Sequence, residues 1–524
     1  MSLIGHLQNT KFRIVLLSAL GCFLVACSEQ SLPPTVTPIP VGTEETTTTA
    51  TRTESLLIWE GVGTSQNQPA RASAHRLSWL QPDGQTAPLY ELSASTTQVA
   101  LCGNFTVNNA SLIYAGSDRG QLLSVPHDGS APTQVDTVSY LTCLDNTALQ
   151  PLATADQIAY IKYPDEATRN EFAMGTLNVI ALSDPSTPLL AADRAVAFDV
   201  HGDQITYVSF YANAQNQIDE AAIIRWDGTT TREMSTLTPL ANNCRFVSAS
   251  VIQLDAEQAV VILGQRCAGT TATNRLIYAV QNNGTATLIA NENQVGAYVA
   301  FARTNRVFAT DANPLVFYTA PDGINAYTVH LRQLNLADAS TQPLIENSLV
   351  FENYSGGSNI TPLFSGDGNW LFAVETTPNH ENTLIAYDLL TPAVPPIRVS
   401  AGARGDVVSN LTLSVENNTI FFIIGGENGD DNSLLSLNLD TESQQRIQRG
   451  NFGRGFVVNR SGQIAAVPQW ITPAEPRQPR YTDLVQIDLA TGAQSILFTG
   501  ADVIDGEVSN LRFAVPLLWA SQSD

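Results

Sequence analysis

Residues 364–375 read FSGDGNWLFAVE: a polar turn, Ser365-Gly366-Asp367-Gly368-Asn369, set before an apolar run from Trp370 to Val374. Alone, it could be an ion or phosphate loop. It has relatives along the chain: TVNNASLIYAG (106–116), ATADQIAYIKY (153–163), DVHGDQITYVSF (199–210), QLDAEQAVVILG (253–264), SVENNTIFFIIG (414–425) and NRSGQIAAVPQW (459–470). A weaker copy is ARTNRVFAT (302–310). Most copies begin about 46 to 54 residues apart. Their apolar runs are short and rich in β-branched and aromatic residues, which predicts strands rather than helices.

A second element follows each copy: strand, tight turn, strand. HRLSWLQPDGQTAPLYEL (75–92), GQLLSVPHDGSAPTQV (120–135) and NRLIYAVQNNGTATLIA (274–290) are clear examples. Asp83-Gly84, Asp128-Gly129, Asp227-Gly228 and Asn283-Gly284 fall at the turns, where glycine tolerates the positive φ a hairpin requires. Nine such hairpins can be traced. A period near 50 residues with about four strands per period predicts a β-propeller, whose sheets bury their faces against one another around a ring. The expected fold is all-β, a single propeller of four-stranded antiparallel blades, about eight in number (seven to nine). Leu56-Leu57-Ile58-Trp59 has no partner before it, and NLRFAVPLLWA (510–520) has no hairpin after it. Placing both in one blade would close the ring.

The repeats resemble those of the TolB-like and WD-repeat-like propellers of bacteria, which carry a Ser-Pro-Asp-Gly turn before an apolar strand. FSGDGNWLFAV is the best match, with Gly366 where the family has Pro. The resemblance covers roughly 55 to 520, and its motif implies architecture rather than activity.

At the N-terminus, Lys11 and Arg13 precede an apolar run, Ile14 to Ala26, too short to span a bilayer but suited to a secretory signal. Leu24-Val25-Ala26-Cys27 resembles the lipobox of bacterial lipoproteins, which implies that Cys27 carries lipid and becomes the mature N-terminus. Residues 27–54 are dominated by Pro and Thr and cannot bury enough surface to fold, so they read as a tether. The expected organisation is a signal segment at 1–26, a tether at 27–54 and a propeller at 55–524.

Loss of the signal segment removes two cations and no acid, so the mature charge is 24 − 49 = −25. That balance argues against nucleic acid and anionic lipid surfaces as partners. Four cysteines remain besides Cys27 in the mature chain: Cys102, Cys143, Cys244 and Cys267. An even number in an oxidising compartment predicts disulfides. Cys244 and Cys267 flank a turn near Asp255-Ala256, and Cys102 and Cys143 precede successive polar turns, expected on the inner strands of adjacent blades. The pairings 102–143 and 244–267 are therefore preferred among the three connectivities.

Signatures of chemistry are sparse. The sequence has no GxSxG elbow, P-loop or HExxH motif. His75, His127, His201, His330 and His380 scatter over different repeats, whereas a metal-dependent propeller lyase needs several on one face. Glu427, Asp430 and Asp431 lie in a loop rich enough in oxygen to suggest Ca²⁺, although the spacing is not that of an EF-hand. The six tryptophans lie in or beside strands and read as packing between blades. The expected function is a lipid-anchored extracytoplasmic binding module, monomeric, with an envelope protein, peptide or glycan as ligand. The alternative is a propeller-type polysaccharide lyase or hydrolase, favoured if His330 and Arg332 or a carboxylate pair clustered at the channel mouth.

Overall fold

The computed structural model describes residues 54–62, 72–103, 105–144, 149–164, 174–215, 217–270 and 273–294. Beyond these it describes 308–310, 313–321, 328–335, 341–349, 363–364, 370–376, 382–388, 391, 394–400, 406–414, 418–426, 432–453, 455–473, 479–504 and 507–520. Among them the only helix is the single turn Leu141–Leu144. The strands form seven four-stranded sheets, one seven-stranded sheet and one two-stranded hairpin, all antiparallel between neighbours. Eight sheets therefore have four or more strands. The largest carries two repeats, because Leu190–His201 is the last strand of one and the first of the next.

The ring closes as expected. Arg512–Ala520 pairs with Ser55–Val62, and the sheet runs on through Ala74–Leu80 and Thr86–Leu92. The chain's last described strand thus supplies the innermost position, and its first supplies the second. Strand alternation sends successive side chains of Ser55–Val62 to opposite faces. Leu57 and Trp59 meet Ile113, Ala115, Leu123 and Val125 of the following sheet. Leu56 and Ile58 meet Ala466 and Leu484 of the preceding one. Both faces being covered explains why this strand is apolar almost throughout. Trp79 and Trp226 are also buried, Trp370 packs against the Phe372–Phe422 core, and Trp519 donates Nε1 to the Val457 carbonyl at 3.2 Å. Five of the six tryptophans thus pack between or within sheets.

The polar turn has a structural meaning. In five repeats the residue just before the second strand accepts, through its carbonyl, an N–H from just past the third strand. The bonds are His127 to Asn109 (2.9 Å), Leu182 to Asp156 (2.7 Å), Asn282 to Glu257 (2.7 Å), Leu439 to Asn418 (2.9 Å) and Leu489 to Gln463 (2.8 Å). At Asn109, Asp156 and Asn418 the backbone is left-handed, φ 54°, 82° and 43°. Asn and Asp tolerate that region best among side-chain-bearing residues, which is why the turns are written in them. The hairpin turns repeat a second device. Asp83, Asp128, Asp227 and Asn283 each accept a backbone N–H two residues on, at 2.8–2.9 Å, ahead of or beside a glycine at positive φ. Residues 365–369 lie outside the described residues; Trp370–Thr376 forms the expected strand.

Both disulfides have the expected partners, Cys102–Cys143 and Cys244–Cys267. Cys244 and Cys267 sit opposite each other in register across the hairpin. One placement differs from expectation. Neither cysteine is in an inner strand: Cys102 follows the strand Gln98–Leu101, and Cys143 is in the helical turn Leu141–Leu144 before Leu149–Pro151.

Candidate functional site

Strand directions divide the propeller into two ends. At one end lie the turns inside each hairpin pair, none longer than eight residues; examples are 81–85, 202–203, 254–257 and 439–442. At the other end lie the strand ends that bound the longer stretches between strands, such as Val62 and Ala74, Lys162 and Gly175, and Phe498 and Arg512. The chain enters its first strand at the short-turn end, where Asn459 donates to the Glu54 carboxylate at 2.8 Å. That end is acidic: Asp83, Asp128, Asp156, Asp203, Asp227, Asp255 and Asp440 sit in its turns, and Asp488 ends a strand there. Bonds from the turn backbone and hydroxyls hold Asp128, Asp184 and Asp227 below the usual carboxylate range, so they stay charged.

The long-connection end carries exposed apolar side chains: Val62, Tyr211, Leu240 and Val503. Here Leu190–His201 passes from outermost to innermost position through Arg194, which has φ 62°. The Arg194 guanidinium lies over the Tyr211 ring, 5.7 Å from its centroid. Asp502 holds Arg512 through both carboxylate oxygens, at 2.8 and 2.9 Å, and so braces the hairpin Asp502–Ile504/Glu507–Ser509 beside the closing strand.

The inner strands supply a polar belt. Gln150 spans to the next inner strand, accepting the Val200 N–H at 3.1 Å. Asp199, on that strand, accepts the Gln253 N–H of the one after at 2.8 Å. Gln253 in turn accepts from Thr206 (3.0 Å) and donates to Gln204 (3.3 Å). Arg225 donates Nε to Thr206 at 3.3 Å and Nη1 to the Ala256 carbonyl. Burial pushes the Asp199 carboxyl up to about 6, against the pull of these hydrogen bonds. A carboxyl poised near neutrality, held by neutral donors, is the described group most suited to proton transfer or to selecting a ligand. Nothing in the sequence singled it out: it sits in DVHGDQ, where Asp203 is the turn residue and Asp199 reads as another.

The histidines are structural where described. His127 meets the Ser111 hydroxyl at 2.9 Å and packs edge-on against Trp79. The pair resembles a nucleophile and its base, but Ser111 is 3% and His127 7% exposed, so no substrate reaches it. His75 is buried between Trp59 and Phe513, and burial lowers its pKa. His201, expected in a polar turn, is the exposed last residue of the strand Leu190–His201, paired with Gln204. His330 and Arg332 lie two residues apart in the strand Thr328–Asn335. Cys27, His380, Glu427, Asp430 and Asp431 lie outside the described residues. Among the described residues, no three His, Cys, Asp or Glu side chains gather as a metal site, and no helix is long and apolar enough to cross a membrane.

The architecture is that of a β-propeller. No family model matches the chain, and no curated protein does. Solved structures similar to it include a prolyl endopeptidase (10% identity, 74% of this chain, 54% of that one, TM-score 0.42). Others are TolB from Acinetobacter baumannii (13%, 69% and 82%, 0.25) and an oligogalacturonate lyase in complex with manganese (9%, 87% and 89%, 0.33). The chain thus spans about half the length of the endopeptidase. Likenesses of this strength say nothing about activity. The two disulfides point to an oxidising, extracytoplasmic compartment.

Proposed function

We propose that the mature chain is a membrane-tethered extracytoplasmic propeller that binds an envelope protein, peptide or glycan through its long-connection end. The supporting observation is the asymmetry of the two ends. One is built from repeated, internally bonded turns and holds Glu54, the residue before the first strand. The other breaks the repeat, carries the long connections and exposes Tyr211, Leu240, Val62 and Val503. Binding residues concentrate on such variable connections over a rigid scaffold. No metal or other cofactor is part of this reading; Ca²⁺ at Glu427, Asp430 and Asp431 remains an expectation of the sequence.

The test is photo-crosslinking in the envelope from single positions at each end. Crosslinks to one defined partner from Tyr211 and Leu240, with none from Asp83 or Leu189, are expected. The reverse pattern refutes the assignment of the face. Separately, Cys27→Ser should move the protein from the membrane to the soluble fraction, and retention at the membrane would remove the anchor from the proposal.

The alternative, a carbohydrate-active enzyme, is favoured by Asp199, whose raised pKa suits a general acid. Acidic and neutral polysaccharides incubated with the protein and with Asp199→Asn decide it. Cleavage by the wild type that Asp199→Asn loses would displace the binding-module reading.

A further inference from the structure

Two Trp–His pairs lie in one seam, between the closing sheet and the sheet of Gln98–Leu101, Ala110–Gly116, Arg119–Pro126 and Thr133–Ser139. Trp59 stacks on His75 with ring centroids 5.8 Å apart, and Trp79 meets His127 edge-on at 6.4 Å. His75, Leu77 and Trp79 alternate onto one face of their strand, and Ser111, Ile113 and Ala115 onto the facing side of the next sheet. The seam is short of acceptors. Among the described residues, eight buried side-chain nitrogens and oxygens lack a hydrogen-bond partner. Four are here: Trp59 Nε1, Trp79 Nε1 and both ring nitrogens of His75. A neutral imidazole has one N–H donor and a protonated one has two. His75 is 1% exposed, with the Phe513 ring 6.0 Å away. The charged groups of the closing sheet stand elsewhere. Glu60, Arg76, Glu91 and Arg512 alternate onto the opposite face, where Glu60 accepts from Arg76 at 2.7 Å. Tyr90 shares the His75 face and donates to Gln121 of the next sheet at 3.5 Å, and Arg119 of that sheet is exposed. Near His127, Asp128 and Asp83 are exposed in their turns.

We propose that His75 and His127 form an acid-sensitive latch: when both rings take up a proton, the seam opens and the closing strand Arg512–Ala520 lets go. Burial lowers the pKa of both rings, opposed at His75 by the Ala72 carbonyl and at His127 by Asp128. Each ring therefore binds a proton less readily folded than unfolded. The folded seam loses stability as pH falls below the ordinary histidine value of 6.5. His127 can turn one N–H to the Ser111 hydroxyl, whereas His75 has no side-chain acceptor for either. Seam and strand pair are linked: Phe513 packs against both His75 and Trp59, and Val515 is opposite Trp59 in register. Opening stays local because of where the seam lies. The closing sheet joins the two ends of the fold, and chain ends open before cores. The next seam holds the Cys102–Cys143 bridge among Tyr114, Ile158 and Tyr160, a covalent tie that acid leaves intact. An opened seam exposes Trp59, Trp79, Ile113 and Leu123, all buried at neutral pH. This inference stands apart from the proposed binding end and from Asp199.

The experiment is amide hydrogen exchange of the full mature chain at pH 7.5, pH 6.0 and pH 5.0, corrected for intrinsic exchange and read strand by strand. In the wild type, protection of Ser55–Val62, Ala74–Leu80 and Arg512–Ala520 should fall about tenfold or more between pH 7.5 and pH 5.0, the factor that one unit of pKa difference supplies. Protection of Thr273–Gln281 and Asn432–Asn438 should hold over the same range. His75→Phe combined with His127→Gln should abolish the fall in the closing sheet. Where that double variant does not fold at pH 7.5, His75→Phe alone is read and should show a smaller fall than the wild type. No fall by pH 5.0 in the wild type overturns the proposal, whatever the variants do. A fall shared equally by all the sheets also overturns it, because it marks ordinary acid unfolding. So does an undiminished fall in the variants, which would place the effect in Glu60 or another carboxylate.

Discussion

Replacing Asp199 with Asn should make the propeller more stable at neutral pH, and only there. The carboxyl titrates near 6 in the fold, against an ordinary 3.8. A carboxylate with a raised folded pKa binds more protons folded than unfolded between those values. Stability from this group is therefore full below about pH 4 and declines as pH rises to about 6. The shift is roughly two units, or about 3 kcal/mol at about 1.4 kcal/mol per unit. Asn keeps an oxygen for the Gln253 N–H and carries no charge to desolvate. For about 470 residues the unfolding entropy is on the order of 1 kcal/mol per kelvin, so the expected gain is about 3 °C at pH 7.5. The assay is calorimetry of both proteins from pH 4 to pH 7.5, read as variant minus wild type, which cancels the other titrating groups. The gain should shrink to a constant below pH 4. A difference that does not change with pH would refute the argument, because it would place the effect in packing or hydrogen bonding rather than in the buried charge.

Three further outcomes are expected. His75→Phe should flatten the loss of stability below pH 6.5, since burial lowers the histidine pKa and the wild type loses stability as pH falls below the unfolded value; melts at pH 5 and pH 8 measure it. Cys102→Ala with Cys143→Ala should cost about 4 kcal/mol by the loop-entropy relation for a separation of 41 residues, read by denaturant titration with and without reductant. Asp227→Ala removes the acceptor of the Thr229 and Thr230 N–H groups and should loosen this turn locally, read as faster proteolysis at residues 227–230 than in the wild type.

The sequence carries the fold because the repeat is written in local chemistry. Asn109, Asp156 and Asn418 mark one turn and Gly84, Gly129 and Gly228 another, each required by its own backbone dihedral. The closing sheet was legible from Leu56–Trp59 and 510–520 because two unpartnered strands have only each other. The disulfide at 244–267 was legible because a hairpin fixes what stands opposite. The helical turn holding Cys143 was not, since four residues carry no periodicity. Blade counting was blurred at Leu190–His201, where one continuous strand serves two repeats and no turn residue separates them. The polar belt was invisible for a different reason. Gln150, Asp199 and Gln253 lie about 50 residues apart, and only the ring brings them side by side.

The closing sheet also sets an order on biogenesis. Arg512–Ala520 and Ser55–Val62 are neighbours separated by some 450 residues of chain. The loop between them must be ordered sheet by sheet before the last pairing stabilises anything. Until residue 520 emerges, the strand 55–62 holds an unpaired, apolar edge, the kind of edge that recruits foreign strands. A protein delivered across a membrane from its N-terminus would expose that edge for the whole of its transit. Its yield should depend on holdase chaperones in the receiving compartment, and on how fast the final nine-residue strand follows.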